Sequence, residues 1–347
     1  VEGLLFPFRQ LQPAQGFVTR LSEDDLIARL FAPLAGPAGL GLRDDAACFV
    51  PPADRDVVIT KDMLVAGVHF FPDDPPGDIA RKALRVNLSD LAAKGAEPFG
   101  FLLGLGLPAE WTEPWLAAFA QALGEDAAAF GCPLVGGDTV KAPTLTLSIT
   151  AFGSVPHARM VPRAGVQPGD ILFVTGTIGD AALGLRIRRA EAADRDWIAG
   201  LDQDQKAHLC ARYLLPQPRL GLAEALRSHA HAAMDISDGL AGDLAKLLGL
   251  GEVSADIMAA DLPLSGAARR AVALAPQLLE TVLSGGDDYE ILSAVPLESA
   301  AAFAAAAGAA GIGVTRIGHA EAGPAAPRFR DSAGSILSLR AAAFQHF

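Results

Sequence analysis

What most constrains this chain is the placement of its aspartates. Asp44-Asp45, Asp62, Asp90, Asp138, Asp235 with Asp238, and Asp287-Asp288 stand beside glycines or small residues, most of them where an apolar, strand-like run gives way to a turn. A fold that gathers carboxylates from so many segments carries repulsion and desolvation costs unless cations neutralise them. Hard oxygen ligands of this kind suit Mg²⁺, and Mg²⁺ most often accompanies phosphates. The pattern therefore points to metal-dependent phosphoryl transfer.

Bulk properties narrow the setting. A length of 347 residues suffices for two domains with their own cores, and 51% hydrophobic residues exclude a disordered chain. The formal charge of 28 − 40 = −12, with no basic stripe, disfavours nonspecific nucleic-acid binding. Cys48, Cys132 and Cys210 are far apart and form no CxxC, so they read as reduced, buried thiols of a cytoplasmic protein. No signal-peptide pattern opens the chain, and the alanine-rich run 300–314 is too short to span a membrane and reads as a packed helix.

Periodicity supplies a coarse map. Residues 22–35 predict a helix capped by Ser22. DAACFVP and DVVITKDMLVAG read as strands, then Ile79 to Lys94 as a helix stopped by Gly95. Phe99 to Leu107 is a strand, Glu113 to Phe130 an amphipathic helix ended by Gly131, and 133–140 with 144–155 another strand pair. No strict βαβ repeat emerges, so the first half reads as α+β. The proline-rich stretch 156–168 marks a boundary, dividing the chain into 1–158 and 159–347. Beyond it, DILFVTG is a strand, TIGDAALGLRIRRA turns into a helix, and 191–212 reads as a polar, helical insertion or surface arm. AAMDIS leads into the helix DGLAGDLAKLLGL, SADIMA is a strand, 280–295 reads as strand, turn, strand, and 315–317 as a last strand.

The chemistry concentrates in a few runs. In Gly136-Gly137-Asp138-Thr139 the glycines let backbone approach a ligand while the aspartate reaches a metal; a tight turn with a solvated Asp is the competing reading. Asp235 and Asp238, three apart at a helix start, face one point, and Ser237 with the free N–H groups there suits phosphate; an ordinary N-cap competes for Ser237. Ser284-Gly285-Gly286-Asp287-Asp288-Tyr289-Glu290 packs three acids into four residues, which favours function over a solvated hairpin. The run 175–180 is a weak anion-loop signal without Gly-Lys-Ser/Thr. Asn87 and Asp90 share a helix face, His69 is either packed or substrate-orienting, and His229 with His231 lacks a third metal ligand.

Together these segments resemble the thiamine-monophosphate kinase family, of the superfamily that includes aminoimidazole ribonucleotide synthetase. The resemblance rests on Arg43-Asp44-Asp45, the run Thr60 to Phe70, Asn87 to Ala93, Gly136 to Thr139, Arg163 before Pro168-Gly169-Asp170, Thr175-Gly176-Thr177, Asp235 to Leu240 and Ser284 to Glu290, in family order from about Asp24 onward. It implies an α+β, two-domain fold: an N-terminal domain whose sheet forms a barrel across a homodimer, and a C-terminal α/β sandwich closing an ATP cleft. It implies transfer of the γ-phosphoryl of ATP to thiamine monophosphate with several Mg²⁺ ions. Asp45, Thr60, Lys61, Asp62, Asp90, Asp138, Asp235 and Asp238 would hold metal, with Asp138, Asp62 and Asp235 central to catalysis. Gly137, Asp138, Arg163 and Ser237 would touch ATP, and His69, Asp287 and Phe344 the substrate.

Three departures stand out. Arg43 replaces a glycine of Gly-x-Gly-Asp-Asp, Lys61 replaces a hydroxyl residue and would either take over part of a cation's charge or serve through its backbone carbonyl, and Asp287 replaces a glutamate one methylene longer. A sister ATP-dependent enzyme of the same fold, or a noncatalytic nucleotide- or metal-binding homologue, is the alternative. Because both reactants are anionic and the acceptor phosphate oxygen is already ionised, catalysis in this family rests on positioning and charge stabilisation rather than on a strong base.

Overall fold

The computed structural model describes residues 22–50, 53–324, 326–331 and 333–339. The expected substrate contact Phe344 lies outside them. A first sheet contains β1 (Arg55–Val65), β2 (Glu97–Leu107), β3 (Leu134–Lys141) and β4 (Thr146–Pro156), in the order β1-β4-β2-β3. β4 runs antiparallel to both neighbours, whereas β2 and β3 are parallel. The short helix α1 (Glu23–Leu26) precedes this sheet, and Ser22 Oγ accepts the Asp25 N–H at 3.1 Å as the expected cap. Helix α2 (Pro76–Ala93) joins β1 to β2, and α3 (Glu113–Ala129) makes the parallel crossover from β2 to β3.

Alternation decides which sheet face is covered. Val58 and Leu64 of β1 join Leu103, Leu147 and Ile149 in a core with Ile79, Leu84 and Leu88 of α2 and Leu116, Phe119 and Leu123 of α3. Each such side chain contributes about 1.5–3 kcal/mol on burial. The intervening Ile59 and Met63 are 61% and 50% exposed on the opposite face. Gly95 ends α2 at φ +66°, where an L side chain would be strained.

The second sheet has the order β10-β7-β9-β5-β8-β6. Its strands are β5 (Ile171–Thr175), β6 (Ala232–Asp235), β7 (Val253–Met258), β8 (Ile291–Val295), β9 (Val314–Ala322) and β10 (Arg328–Arg330). The helices are α4 (Asp180–Arg189), α5 (Arg195–Ala199), α6 (Gln203–Leu214), α7 (Ala223–His229), α8 (Leu240–Gly249), α9 (Gly266–Leu274), α10 (Leu278–Ser284) and α11 (Ala300–Ala309). One core joins Leu183, Trp197, Leu209, Leu244, Ala268 and Val282 from α4, α5, α6, α8, α9 and α10. A second joins Leu226 of α7 and Phe303 of α11 to Ala92 and Ala93 of α2. The sheet is thus covered by helices from both sides, and α2 is buried by both halves of the chain.

Several local expectations are corrected. Residues 45–50 form no strand, and 278–284 form α10 rather than a strand. β3 and β4 do not pair with each other; β2 lies between them, and β2-α3-β3 is a single βαβ unit. The segment 191–212 is not a surface arm, since Trp197 and Leu209 are in the core and Gly184 of α4 lets the α6 backbone approach so closely that a Cβ would meet Leu209 O at 2.1 Å. Cys48 is exposed, while Cys132 is buried.

Candidate active site

Helix α2 organises the junction between the two halves. Thr60 and Asp62 face it from β1, and Lys61 between them is exposed on the other sheet face. The Thr60 hydroxyl donates to Asp90 Oδ2, and the Asp62 N–H donates to Asn87 Oδ1 at 3.0 Å, one turn earlier on α2. Ser89 Oγ, on another side of the same helix, donates at 2.9 Å to Asp235 Oδ2 at the end of β6. One helix thereby carries an acidic group from each half.

The carboxylates here oppose one another. Burial, then the charges of Asp90 and Asp238, push the Asp62 carboxyl up to about 6. Burial and then Asp90 drive Asp235 well above the ordinary range, against the Ser89 hydrogen bond, with Asp243 and Asp62 adding to the rise. Among the described residues neither Asp62 nor Asp235 forms an ion pair. Crowded like charges that no direct ion pair neutralises are the donor set that a divalent cation relieves. Among the described residues no three acidic, histidine or cysteine side chains are gathered tightly enough to ligate one ion by themselves. Mg²⁺ bound with nucleotide needs only one or two carboxylates, because phosphates and waters supply the rest.

The turn after β6 departs from its expected role. Both the Ser237 and Asp238 N–H groups donate to Asp243 Oδ2 at 3.0 Å, so Asp243, not an open anion site, satisfies them. Lys246 bridges Asp238 at 2.6 Å and Asp243 at 2.9 Å. Nearby, Lys94 donates to Ala233 O at 2.7 Å. Burial lowers its ammonium to about 8, against Asp235, while Arg163 lowers it further and Asp90 opposes. Arg163, exposed in the inter-sheet connection, therefore lies within electrostatic reach of this cluster.

Asp45 and Asp138 are elsewhere in the single copy. They line a groove of about 760 Å³ with Gly137, Thr139, Phe49, Ser148 and Phe152. The cross-strand row Met63, Ser148, Gly104, Asp138 places Asp138 on the edge strand farthest from β1. Three strand spacings make that about 14 Å from β1. Thus Asp62, Asp90, Asp235 and Asp238 come together, whereas Asp45 and Asp138 do not join them. Gly137 has a packing reason of its own, since a Cβ there would lie 2.0 Å from Leu103 O.

His69 and Asp287 meet through a residue that the motifs did not reveal. Lys82 of α2, 1% exposed, donates to His69 O at 2.9 Å and to Asp287 Oδ2 at 3.1 Å, with its Nζ 3.8 Å from the Tyr213 ring centroid. Burial lowers the Lys82 ammonium, against the attraction of Asp287. His69 Nδ1 accepts the Val65 N–H at 3.1 Å, so its neutral form carries the proton on Nε2. The other acids of the Asp287 loop are structural. Asp288 accepts the Gly179 N–H at 2.9 Å, and Glu290 binds Arg212 and Arg219 at 2.7 Å and Thr175 Oγ1 at 2.6 Å. Those contacts, with the Thr177 and His208 bonds to Asp180, also account for the glycine-threonine run 175–180. His231 Nδ1 lies 3.0 Å from Asp170, so that imidazole has a carboxylate partner. Lys82 leaves a trace in the sequence: it interrupts the apolar stripe of Ile79 and Val86 at helical spacing.

A four-stranded and a six-stranded sheet joined by a buried helix, with carboxylates at the junction, define the AIR synthase-related class. Residues 43–155 match "AIR synthase related protein, N-terminal domain" and 167–327 match "AIR synthase related protein, C-terminal domain". A thiamine-monophosphate kinase of Caulobacter vibrioides is 42% identical over 303 residues, covering 86% of this chain and 83% of its own length. The crystal structure of thiamine-monophosphate kinase from Stenotrophomonas maltophilia K279a superposes with a TM-score of 0.76 at 37% identity, over 85% of this chain and 91% of that one. "AaThiL complexed with AMPPCP and TMP" gives a TM-score of 0.74 at 28% identity, over 96% of this chain and 100% of that one. The chain belongs to the thiamine-monophosphate kinase family of AIR synthase-related proteins.

Proposed function

We propose that this protein transfers the γ-phosphoryl group of ATP to thiamine monophosphate, giving thiamine diphosphate. The observation that carries this reading is the similarity along nearly the whole chain to a ThiL structure complexed with AMPPCP and TMP, together with 42% identity to a thiamine-monophosphate kinase. The junction chemistry supports it. Thr60, Asp62, Asp90, Asp235 and Asp238 would hold Mg²⁺, which supplies charge neutralisation between the carboxylates and the phosphates of both reactants. Lys94 adds positive charge near Asp235, and Arg163 lies within electrostatic reach of Lys94. His69 and Asp287 would meet the acceptor molecule, whose phosphate oxygen attacks without needing a base.

The proposal includes a homodimer. Among the described residues β1 and β3 are the edge strands of the first sheet, and the face away from α2 and α3 exposes Ile59, Met63 and Val140. Sheet edges and exposed apolar side chains of this kind are what a second copy buries. If the two sheets close into a barrel with β3 of one copy beside β1 of the other, Asp138 of one copy lies on the strand next to the one that carries Asp62 of its partner, with Asp62 on the α2 face and Asp138 on the opposite face.

Incubation with Mg-ATP and thiamine monophosphate tests the reaction: thiamine diphosphate and ADP should appear together, and ADP without thiamine diphosphate would point to a sister activity. Mixed and re-equilibrated Asp62→Asn and Asp138→Asn chains test the shared site. Random pairing gives half heterodimers with one intact site of two, so about a quarter of wild-type turnover should return. No recovery would place both residues within one copy's site.

A further inference from the structure

We propose that Lys82 is a positioning residue that latches the two halves of the substrate end of the site, holding Asp287 where it can meet thiamine monophosphate. This rests on the function proposed above. Lys82 sits on α2, yet two of its three contacts are to the segments that carry the expected substrate residues: the His69 carbonyl in the loop after β1, and the Asp287 carboxylate in the loop before β8. The third is the face of Tyr213 at the end of α6, whose hydroxyl donates at 3.2 Å to the same His69 carbonyl. One ammonium therefore ties together elements 13 and 205 residues away in sequence.

Stability alone does not account for a lysine here. Burying an ammonium is costly even when paired, and replacing such a group with an apolar one of similar size is often neutral or stabilising. The partner, Asp287, keeps a quarter of its side chain exposed while Lys82 keeps 1%, so the carboxylate reaches solvent and the lysine holds it from the buried side. The loop is otherwise shaped for one conformation. Asp287 has φ +70° and Tyr289 φ +49°, both unfavourable for residues with a Cβ. Backbone bonds from Asp287 N to Ser237 O at 2.9 Å and from Tyr289 N to Ile236 O at 2.8 Å run the loop along the Asp235 turn. Gly286 is required by that approach, since a Cβ would lie 2.2 Å from Ser237 O. Lys82 is the side-chain contact that aims the carboxylate of this strained residue, and it couples that aim to the loop bearing His69.

The test is Lys82→Met, which keeps length and volume without the charge. The expected result is a KM for thiamine monophosphate raised about tenfold or more, with the KM for ATP changed by less than about threefold. On an Asp287→Ala background Lys82→Met should add less than about twofold, because the acceptor is already gone. Equal effects on both substrates, no effect, or full additivity with Asp287→Ala would overturn the proposal. Amide hydrogen exchange of residues 286–290 gives a readout that does not need turnover: it should quicken in Lys82→Met, and unchanged exchange would refute the latch. Should that variant not fold, Asp287→Ala removes the acceptor of the same bond and is read by the same exchange. A wild-type protein that makes no thiamine diphosphate would sink the functional reading, while exchange would still decide the latch.

Discussion

Replacing Asp62 by asparagine should stabilise the metal-free protein while removing its activity. In the folded chain the Asp62 carboxyl is raised from 3.8 to about 6, first by burial and then by Asp90 and Asp238. At 1.36 kcal/mol per pH unit, the rise from 3.8 to about 6 is about 3 kcal/mol of strain in the charged form. The sign follows from proton binding. Between the unfolded value and about 6 the folded state holds more protons, so the destabilisation is absent below the unfolded value, grows as pH rises, and is complete above about 6. Asparagine carries no such charge, and the bond to Asn87 comes from the main chain and survives the substitution. The variant should therefore gain about 3 kcal/mol at about pH 7.5 and about half that at pH 5, in chelator. Urea titration followed by tryptophan fluorescence is suited to this, since Trp111 and Trp115 flank the start of α3 in the same half as Asp62. A metal-free variant no more stable than wild type at pH 7.5, or a gain that does not change with pH, would refute the picture of an uncompensated acid cluster.

The same electrostatics predict that the rise in melting temperature on adding Mg²⁺ grows as pH increases through about 6, because Asp62 must lose its proton to bind a cation; a pH-independent shift measured by scanning fluorimetry would exclude Asp62 as a ligand. Asp138→Asn should abolish turnover yet move stability by less than about 0.5 kcal/mol, since Asp138 is exposed on β3, and near-normal turnover would remove it from the site. Glu290→Gln should destabilise the protein by about 3–5 kcal/mol in denaturant titrations, since it leaves Arg212 and Arg219 partly buried without their carboxylate. A loss of turnover with unchanged stability would instead assign Glu290 to chemistry.

Local periodicity located most elements. Helix α2 and its glycine stop, α3, and the alternating strands β1 and β4 are legible because the signals that start, stop and face them lie within a few residues. The helix α10 was not legible: Thr281 and Val282 are β-branched, and packing of Val282 into the second core overrides that local preference. Segment 191–212 misled through its polar composition, because a few apolar residues, Trp197, Leu201 and Leu209, anchor it in the core.

The site divides along the same line. That aspartates at glycine turns belong to a phosphoryl-transfer enzyme of this family was contained in the chain, since residue type and order survive without coordinates. Which aspartates meet was decided only by tertiary structure. Strand order puts Asp62 against α2 and Asp138 at the far edge of the same sheet, and the Asp287 loop gives one carboxylate to Lys82 while burying Asp288 and Glu290 against Gly179 and two arginines. The physical reason is range. A turn or a cap is set by neighbours a few residues away, whereas the charge state and role of a buried carboxylate are set by partners such as Lys82 and Asp287, 205 residues apart, that only the packed fold brings into contact.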